Sequence, residues 1–431
     1  MKKIHLYLYI CLLSFIGFSC HKENDTNSPV VTIVKPVKGS IYSVYDTIDI
    51  SAVISDESVI ESVKVSLLDQ DLKPVMATQQ FYPSTSGYNL NTSLQLDDIH
   101  LPGGTYSIQV KAFDGTNFTN AYINVLINEV PKELKSVLLV SKSGIYGTDL
   151  SALNGNGTWH KILTINGDFK NSDISSYDQL IYTSGAHSGN LNAIFLPQGS
   201  LVWNVPLMSF PPYRYFEDLF FSWPLLYVAY YNGMTYGYDR QGTVVYSTNI
   251  FGDYFPEHIG IVNKQLLAIL KSKSGNTSLL VTYYQGSGSI MQSTNIGMSV
   301  TSFEEEDNDN VLVFGNDANI GKIMEYTLSK NKLRFLHEFP DGRIIAVTKR
   351  EDGSFYIAGA NAVHLYIRLT NSLVEFLPAK PTALVDFDEV NKQLYTLSDH
   401  NLTAYDFMSG QQTLNIPVAD SALALHLLYN K

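Results

Sequence analysis

An apolar run of three or four residues returns seven times between Ser136 and Lys431, at intervals of 39 to 45 residues. The runs occupy residues 137–140, 180–182, 225–228, 266–269, 311–314, 355–358 and 394–397. Each repeat holds four short apolar segments separated by polar turns, which in the second repeat are residues 174–177, 180–182, 191–195 and 201–205. Repeats of this length with four strands each are typical of propeller blades. The sequence therefore predicts a seven-bladed β-propeller over residues 136–431.

The two ends of the repeat array predict how the propeller closes. The first repeat begins at Val137 with no strand before it, and the chain ends in an apolar segment, 422–428, with no partner after it. We expect this C-terminal segment to supply the innermost strand of the first blade. Such a closure leaves no open seam in the ring.

Residues 30–129 follow a different pattern, in which apolar and polar residues alternate. The period of two is kept over 48–54, 63–67, 106–112 and 121–127, with turn residues between these segments. This pattern is typical of strands with one buried face, and about seven such strands fit a β-sandwich. Residues 128–133 are interpreted as a linker.

The predicted sandwich resembles bacterial Ig-like and PKD-like domains. The segments 31–36, 48–50, 55–56 and 104–110 carry this resemblance, together with Tyr106, which stands where such sandwiches place a tyrosine corner. The resemblance implies a spacer or recognition module. The repeats resemble quinoprotein-like and WD40-like propellers in repeat shape only, because no Trp-Asp pair occurs. The predicted fold class is all-β, an Ig-like β-sandwich followed by a seven-bladed β-propeller closed by the C-terminal strand.

Residues 1–19 have the pattern of a lipoprotein signal peptide. Lys2 and Lys3 precede an apolar stretch, 6–18, that is too short to span a bilayer, and small residues lead to Cys20. This arrangement resembles a bacterial lipobox, which implies cleavage before Cys20 and acylation of its thiol. An ordinary secretory signal that happens to contain a cysteine is the alternative.

Residues 20–29 are polar and are interpreted as a tether. Their charges resemble the surface-export signal of Bacteroidetes lipoproteins. The resemblance implies a protein anchored by lipid in the outer membrane and exposed at the cell surface. Its expected partners are the lipid bilayer, through acylated Cys20, and an outer-membrane transporter complex.

Several classes of chemistry have no support in the sequence. The net charge of −12, with no basic patch, disfavours nucleic acid as a partner. Cleavage would leave Cys20 as the last cysteine, and the ten histidines are dispersed, so neither a metal nor a cofactor is expected. No nucleophile elbow, phosphate loop or dinucleotide fingerprint occurs. The acidic run 304–310 is interpreted as a solvated hairpin tip.

The loops that lead from one blade to the next offer the best candidate binding residues. The loop 210–216 is long and aromatic, and a Gly-Asp-aromatic pattern recurs at 167–169 and 252–254. Aromatic rings beside charged groups suit a sugar or a peptide, although the same rings could simply pack on the blades below them. The predicted ligand-binding residues are Phe169, Tyr213, Arg214, Tyr215, Tyr254, Phe255, His258, Asp341 and Arg343.

These features favour non-catalytic binding of a ligand on one face of the propeller. A glycan is favoured because the lipoproteins that the chain resembles often accompany outer-membrane nutrient-uptake systems, and a peptide is the other possibility. A hydrolase or lyase with carboxylates at the channel mouth is an alternative, and catalytic residues are not identified. A protein-interaction scaffold is the third interpretation. Two or three acids and a histidine in one pocket would favour the enzyme.

The lipobox interpretation predicts the behaviour of a Cys20→Ala variant. Without the thiol that accepts the lipid, the protein should leave the membrane fraction and remain folded. Fractionation followed by circular dichroism of the released protein tests this expectation. A variant that stays uncleaved in the membrane would contradict it.

Overall fold

The computed structural model describes residues 26–144, 147–208, 214–398, 400–419 and 421–431. They form two compact units that divide after Pro131. The predicted all-β class is confirmed, since within these ranges the one helical element is a 3₁₀ turn at Arg368–Thr370. None of the described residues forms a helix long and apolar enough to cross a membrane. The signal peptide and Cys20 lie outside the described residues.

The first unit is a β-sandwich of a three-stranded sheet, β1-β3-β6, and a five-stranded sheet, β2-β8-β7-β4-β5. Its strands are β1 Val30–Lys35, β2 Ile41–Ser43, β3 Thr47–Ile60, β4 Ser62–Leu68, β5 Gln79–Phe81, β6 Thr85–Gln95, β7 Gly104–Phe113 and β8 Phe118–Asn128. The alternation predicted for this region buries Ile48, Ile50 and Ile108 between the sheets. The Tyr106 hydroxyl donates a hydrogen bond to the Pro102 carbonyl at 2.7 Å, which is the contact of a tyrosine corner.

The second unit consists of seven four-stranded antiparallel sheets. Its strands are β9 Leu134–Ser143, β10 Gly147–Leu153, β11 Trp159–Asn166, β12 Asn171–Ser175, β13 Leu180–Ser184, β14 Leu191–Phe195, β15 Ser200–Val205, β16 Phe216–Ser222, β17 Leu225–Tyr230, β18 Thr235–Tyr238, β19 Val244–Ser247, β20 Tyr254–Val262, β21 Gln265–Ser272, β22 Ser278–Tyr284, β23 Ile290–Asn295, β24 Ser299–Glu305, β25 Asn310–Asp317, β26 Ile320–Thr327, β27 Lys332–Glu338, β28 Ala346–Lys349, β29 Phe355–Ala358, β30 Val363–Ile367, β31 Ser372–Leu377, β32 Leu384–Asp388, β33 Gln393–Ser398, β34 Asn401–Asp406, β35 Gln412–Pro417 and β36 Ala422–Tyr429.

The seven sheets are the blades of a propeller. Blade 1 has the order β36-β9-β10-β11, and blades 2 to 7 each use four consecutive strands from β12 onward. The innermost strands, here called inner strands, contact one another in the closed cycle β36, β12, β16, β20, β24, β28, β32 and back to β36. The seven apolar runs of the sequence are the second strands of the blades, which are buried between neighbouring sheets.

Antiparallel order within each blade sorts the connecting turns onto two faces. We call the lower face the one that carries the turns between first and second and between third and fourth strands. The upper face carries the turns between second and third strands and the loops from one blade to the next. Both faces surround the channel that the inner strands line.

The C-terminal strand closes the ring as predicted. β36 pairs antiparallel with β9, with Leu425 opposite Leu139 and Leu427 opposite Val137. Leu425 and Leu427 pack between blades 7 and 1, and Leu428 packs between blades 1 and 2. One strand therefore joins the last blade to the first and fills two interblade cores.

Buried carboxylates of the inner strands connect neighbouring blades. Asp173 on β12 accepts a hydrogen bond from the backbone N–H of Phe221 on β16, at 2.7 Å. Asp218 on β16 accepts one from the N–H of Ile259 on β20, at 2.9 Å. Such side chains satisfy backbone donors that the exposed edge of an inner strand leaves without a ladder partner.

Hydrogen bonds with inner-strand side chains also join β36 of blade 1 to its two neighbouring blades. Asp386 on β32 accepts a hydrogen bond from the N–H of Leu427, and Ser172 on β12 bonds the Nε2 atom of His426 at 2.7 Å. Burial, reinforced by the charge of Asp173, raises the pKa of Asp386 to about 7. Burial also raises the pKa of Asp173 to about 6 and lowers that of His426 to about 4. At neutral pH the His426 imidazole at the closure is therefore uncharged, and the Asp173 and Asp386 carboxyls lose their protons at a higher pH than ordinary aspartates.

Deleting residues 421–431 should unfold the propeller. Each of the three buried leucines of β36 contributes on the order of 2 kcal/mol by burial, and their sum is comparable to the net stability of a domain. Thermal melting of the deletion beside a variant that lacks only Lys431 measures the effect. Equal melting temperatures for the deletion and the full chain would contradict the closure.

An Asp386→Asn variant should gain stability at high pH. The raised pKa means that wild-type Asp386 favours folding while it is protonated, and that this contribution is lost as the pH rises through about 7. The asparagine oxygen can still accept a backbone hydrogen bond, and the amide never ionises. The melting temperature of the variant relative to wild type should therefore be about 2 °C or more higher at pH 8.5 than at pH 5. Exposed Glu338, changed to Gln, is the control and should give no such difference.

Candidate functional site

Asp168, in the first Gly-Asp-aromatic segment, joins the loop before β12 to the turn between β13 and β14 on the upper face. Asp168 accepts hydrogen bonds from the backbone N–H groups of residues 186–189 at 2.8–3.0 Å. Burial alone would raise the pKa of Asp168, but these four donors outweigh it and the pKa is lowered. Gly167 has a φ of 106°, and a Cβ there would lie 2.4 Å from the Cα of Gly189, so the close loop approach requires glycine.

Asp341 has the same role between blades 5 and 6. It accepts hydrogen bonds from the N–H groups of Asn361 and Ala362 at 2.8 and 2.9 Å. Arg343 is exposed in the same loop and donates to the Ala318 carbonyl at 3.0 Å. These two predicted site residues stand apart from the others, which belong to blades 2 to 4 and the loops before them.

Two of the predicted rings pack against the blades. Phe169 is half-buried against the apolar cluster between blades 1 and 2. Tyr215 meets Phe216 and Tyr230 edge-on, with ring centroids 4.9 and 5.1 Å apart. The Tyr215 hydroxyl lies 3.4 Å from the Met208 sulfur. Both rings therefore have a structural role, whatever else they contact.

Tyr254 and Phe255, the other two predicted aromatic residues that the structure describes, are the first two residues of β20. Phe255 packs against Tyr231, with ring centroids 4.8 Å apart, and Tyr254 meets Phe251 edge-on at 5.6 Å. The hydroxyls of Tyr254 and Thr277 are 3.1 Å apart. Arg214 is exposed on the loop before β16. Tyr213 lies outside the described residues.

Sequence reasoning missed a buried carboxyl at the upper mouth of the channel. Glu217 follows the first residue of β16 and is 6% exposed. Burial raises its pKa to about 7, against the opposing charges of Lys170 and Arg214. Glu257 and Lys271, which are paired at 2.8 Å, also act on its charge. Charged groups rather than free ring faces therefore surround this mouth at blades 2 to 4.

His258 lies deeper than the rim, beside a cavity in the channel. The cavity has a volume of about 300 Å³ and is called the channel pocket. It is lined by Phe220, His258, Ile259, Gly260, Ile261, Val262, Ser302, Phe303, Glu304, Glu305 and Lys349. These residues come from the inner strands of blades 3 to 6, and the pocket extends to the ends of β20 and β24 at the lower face.

An aspartate fixes the His258 ring in this pocket. The Nδ1 atom of His258 lies 2.8 Å from Oδ2 of Asp218, which is buried and also holds the Ile259 N–H. The His258 ring stacks on Phe303 with centroids 5.3 Å apart. A carboxylate at Nδ1 fixes the orientation of an imidazole and leaves Nε2 as its second hydrogen-bonding atom.

Glu304 supplies an acid to the same pocket. Its Oε1 atom accepts a hydrogen bond from the Ser302 hydroxyl at 2.8 Å. Burial raises the pKa of Glu304, although this hydroxyl and the charge of Lys349 oppose the shift. The acidic run was interpreted as a solvated hairpin tip, and for Glu304 this is wrong, because the last residues of β24 still line the channel. Asp307 does cap the turn, accepting the N–H groups of Asp309 and Asn310.

The channel pocket thus combines hydrogen-bonding and apolar groups in a space that suits a small ligand. It offers an imidazole, two carboxyls, a hydroxyl, an ammonium group and two phenyl rings. Among the described residues, no group of three or more His, Cys, Asp and Glu side chains is arranged to hold a metal ion. The sequence signal that could have found this pocket is the polar residue repeated along the inner strands, as at Asp173, Asp218 and Asp386.

Comparison with known proteins supports the architecture. Residues 29–110 match the family described as bacterial Ig domain. No curated protein matches the chain. A quinoprotein alcohol dehydrogenase-like protein from Bacteroides thetaiotaomicron is 11% identical, with 93% of this chain and 99% of that one covered and a TM-score of 0.49.

Two further solved structures also match part of the chain. Saccharomyces cerevisiae Sqt1 is 12% identical, with 66% of this chain and 83% of that one covered and a TM-score of 0.49. BamB from Moraxella catarrhalis is 11% identical, with 68% and 92% covered and a TM-score of 0.41. At such identities the likeness concerns the fold alone. The chain combines an N-terminal bacterial Ig domain with a C-terminal β-propeller.

Proposed function

We propose that this protein binds a small polar ligand, or the end of a glycan, in the channel pocket of its propeller. The observation that carries the proposal is a cavity of about 300 Å³ with His258, Ser302 and Glu304 on its wall. A sugar presents hydroxyl groups to such donors and acceptors and C–H groups to Phe220 and Phe303. A peptide end is the other ligand that these groups could take.

Two features of the pocket support tight and oriented binding. The His258 ring is held by Asp218 and Phe303, so little side-chain entropy is lost when a ligand meets it. Glu304 is half-buried and already holds the Ser302 hydroxyl, so a hydrogen bond to its carboxyl forms partly shielded from bulk water.

The upper mouth is a second contact surface for a longer ligand. Arg214 and Lys170 lie beside Glu217, and Phe255 and Tyr231 lie over the next blade. A long ligand that enters at this mouth and extends toward His258 would contact the charged side chains of the mouth first and the channel pocket second. The predicted rim residues Phe169, Tyr213, Arg214, Tyr215, Tyr254 and Phe255, with Asp341 and Arg343 farther round, keep this role as part of the proposal.

The cellular setting of the proposal comes from the sequence. Acylation at Cys20 would anchor the chain in the outer membrane, with the tether, residues 20–29, holding the folded units at the cell surface. A glycan-binding lipoprotein in that position would deliver its ligand to an outer-membrane transporter. Release of the Cys20→Ala variant from the membrane would support this setting.

A hydrolase or lyase is the second candidate function, and it is favoured because two acids and a histidine, Glu304, Glu305 and His258, line one pocket. The Asp218–His258 pair has the geometry of an oriented general base, and Glu304 in the same pocket has a raised pKa that suits a proton donor. Release of shorter products from a bound glycan would support this function over simple binding.

A Glu304→Gln variant tests the proposed site. Replacing a half-buried carboxyl that accepts a ligand hydroxyl should weaken binding about tenfold, because a hydrogen bond to a charged group contributes about 1.5–3 kcal/mol. Binding of wild type and variant to a glycan array, followed by titration calorimetry on the best glycan, measures the change.

The control is Glu338→Gln, which changes an exposed carboxyl of the same propeller and should bind as wild type. Thermal melts should show that both variants remain folded. Equal binding by the Glu304→Gln variant and wild type would overturn the channel pocket as the site. Loss of binding in an Arg214→Ala variant alone would place the ligand at the upper mouth.

A further inference from the structure

We propose that Tyr177 and Trp223 form a saccharide-binding platform on the lower face of the propeller. Neither residue lines the channel pocket, so this inference goes beyond the proposed function. Tyr177 lies in the turn between β12 and β13, and Trp223 lies in the turn between β16 and β17. The two turns belong to neighbouring blades and both border the lower mouth of the channel.

The two rings are exposed and adjacent. Trp223 is 62% exposed and Tyr177 is 43% exposed. Their centroids are 5.6 Å apart, and their planes are inclined by 57°. The other two tryptophans, Trp159 and Trp203, are less exposed and donate their indole N–H groups to backbone carbonyls. Trp223 therefore leaves apolar surface in water that the other two tryptophans bury to a greater extent.

Polar groups next to Tyr177 in the chain are held in place. Asp178, next to Tyr177, is buried and receives hydrogen bonds from the hydroxyl of Ser175 and an ionic contact from Arg240 Nε at 3.3 Å. The Arg240 carbonyl in turn accepts the indole N–H of Trp203 at 3.0 Å. Arg240, in the turn between β18 and β19 of blade 3, is therefore held by two residues of blade 2, while its side chain stays 58% exposed. Its remaining N–H groups can donate to a ligand lying on the rings.

This combination fits a sugar ring better than a protein. The C–H face of a pyranose stacks on an aromatic ring, and its hydroxyl groups accept from a guanidinium. Two rings present at most about 500 Å² of aromatic surface, less than the roughly 800 Å² that each partner buries in a stable protein interface. We therefore assign the platform to neutral polysaccharide.

Binding of soluble polysaccharides by the full chain tests the assignment. The probes are a β-glucan, a mannan and an amylopectin, measured by affinity electrophoresis and by tryptophan fluorescence. One of them should retard the protein and shift the emission of Trp223, the most exposed of the three tryptophans. Trp223→Ala should weaken that binding roughly tenfold or more and abolish the emission shift, and Tyr177→Ala should weaken binding less.

Phe335→Ala is the matched control, since this ring is 54% exposed on the outer strand of blade 5 and should not affect binding. A Trp223→Phe variant, which keeps an aromatic face, should retain more binding than the alanine variant if stacking is responsible. Unchanged binding by Trp223→Ala would overturn the proposal, as would the absence of binding to all three polysaccharides. If binding is lost in Glu304→Gln but kept in Trp223→Ala, the sugar binds in the channel pocket alone. If a peptide shifts the emission of Trp223 and no polysaccharide does, the platform binds peptide and the proposal is wrong.

Discussion

The pairing of β36 with β9 is the interaction on which the propeller depends, because it converts a linear array of sheets into a ring. Each blade buries its faces only against its two neighbours, so an open array would expose one face of blade 1 and one of blade 7. The leucines of β36 fill both of the cores that meet blade 1. No disulfide of the predicted mature chain could replace this closure, since Cys20 would be its only cysteine.

Closure has an electrostatic consequence inside the channel. Inner strands present backbone N–H groups that no fifth strand covers, and Asp173, Asp218 and Asp386 accept hydrogen bonds from them across the blade boundaries. The ring therefore concentrates carboxyl groups along a narrow space, where burial raises the pKa of Asp173 and Asp386. Asp218 also contacts His258. The same carboxylate that joins two blades therefore orients a side chain of the channel pocket.

The candidate sites illustrate how far sequence reasoning reaches. The Gly-Asp-aromatic pattern is visible because it recurs, but the Asp168 carboxylate is occupied by backbone N–H groups of a neighbouring turn, as is that of the predicted site residue Asp341. Phe169 and Tyr215 pack on the blades, and His258 lies in the channel rather than at the rim. Glu304, Trp223 and Arg240 were not selected, because their partners come from other blades at separations that no local pattern reveals.

The sequence by itself determined the all-β class, the number of repeats, the half-buried sandwich strands and the closing strand. It could do so because the order of apolar and polar residues follows which side chains of a strand are buried. The resemblance to Ig-like domains, rather than periodicity, predicted the position of Tyr106 at its corner. Only the tertiary structure decided which polar residues share a space. Strands of four different blades line the channel pocket, and the turns of two blades bring Tyr177 to Trp223. Contacts between distant segments depend on blade packing and ring geometry, which residue order alone does not specify.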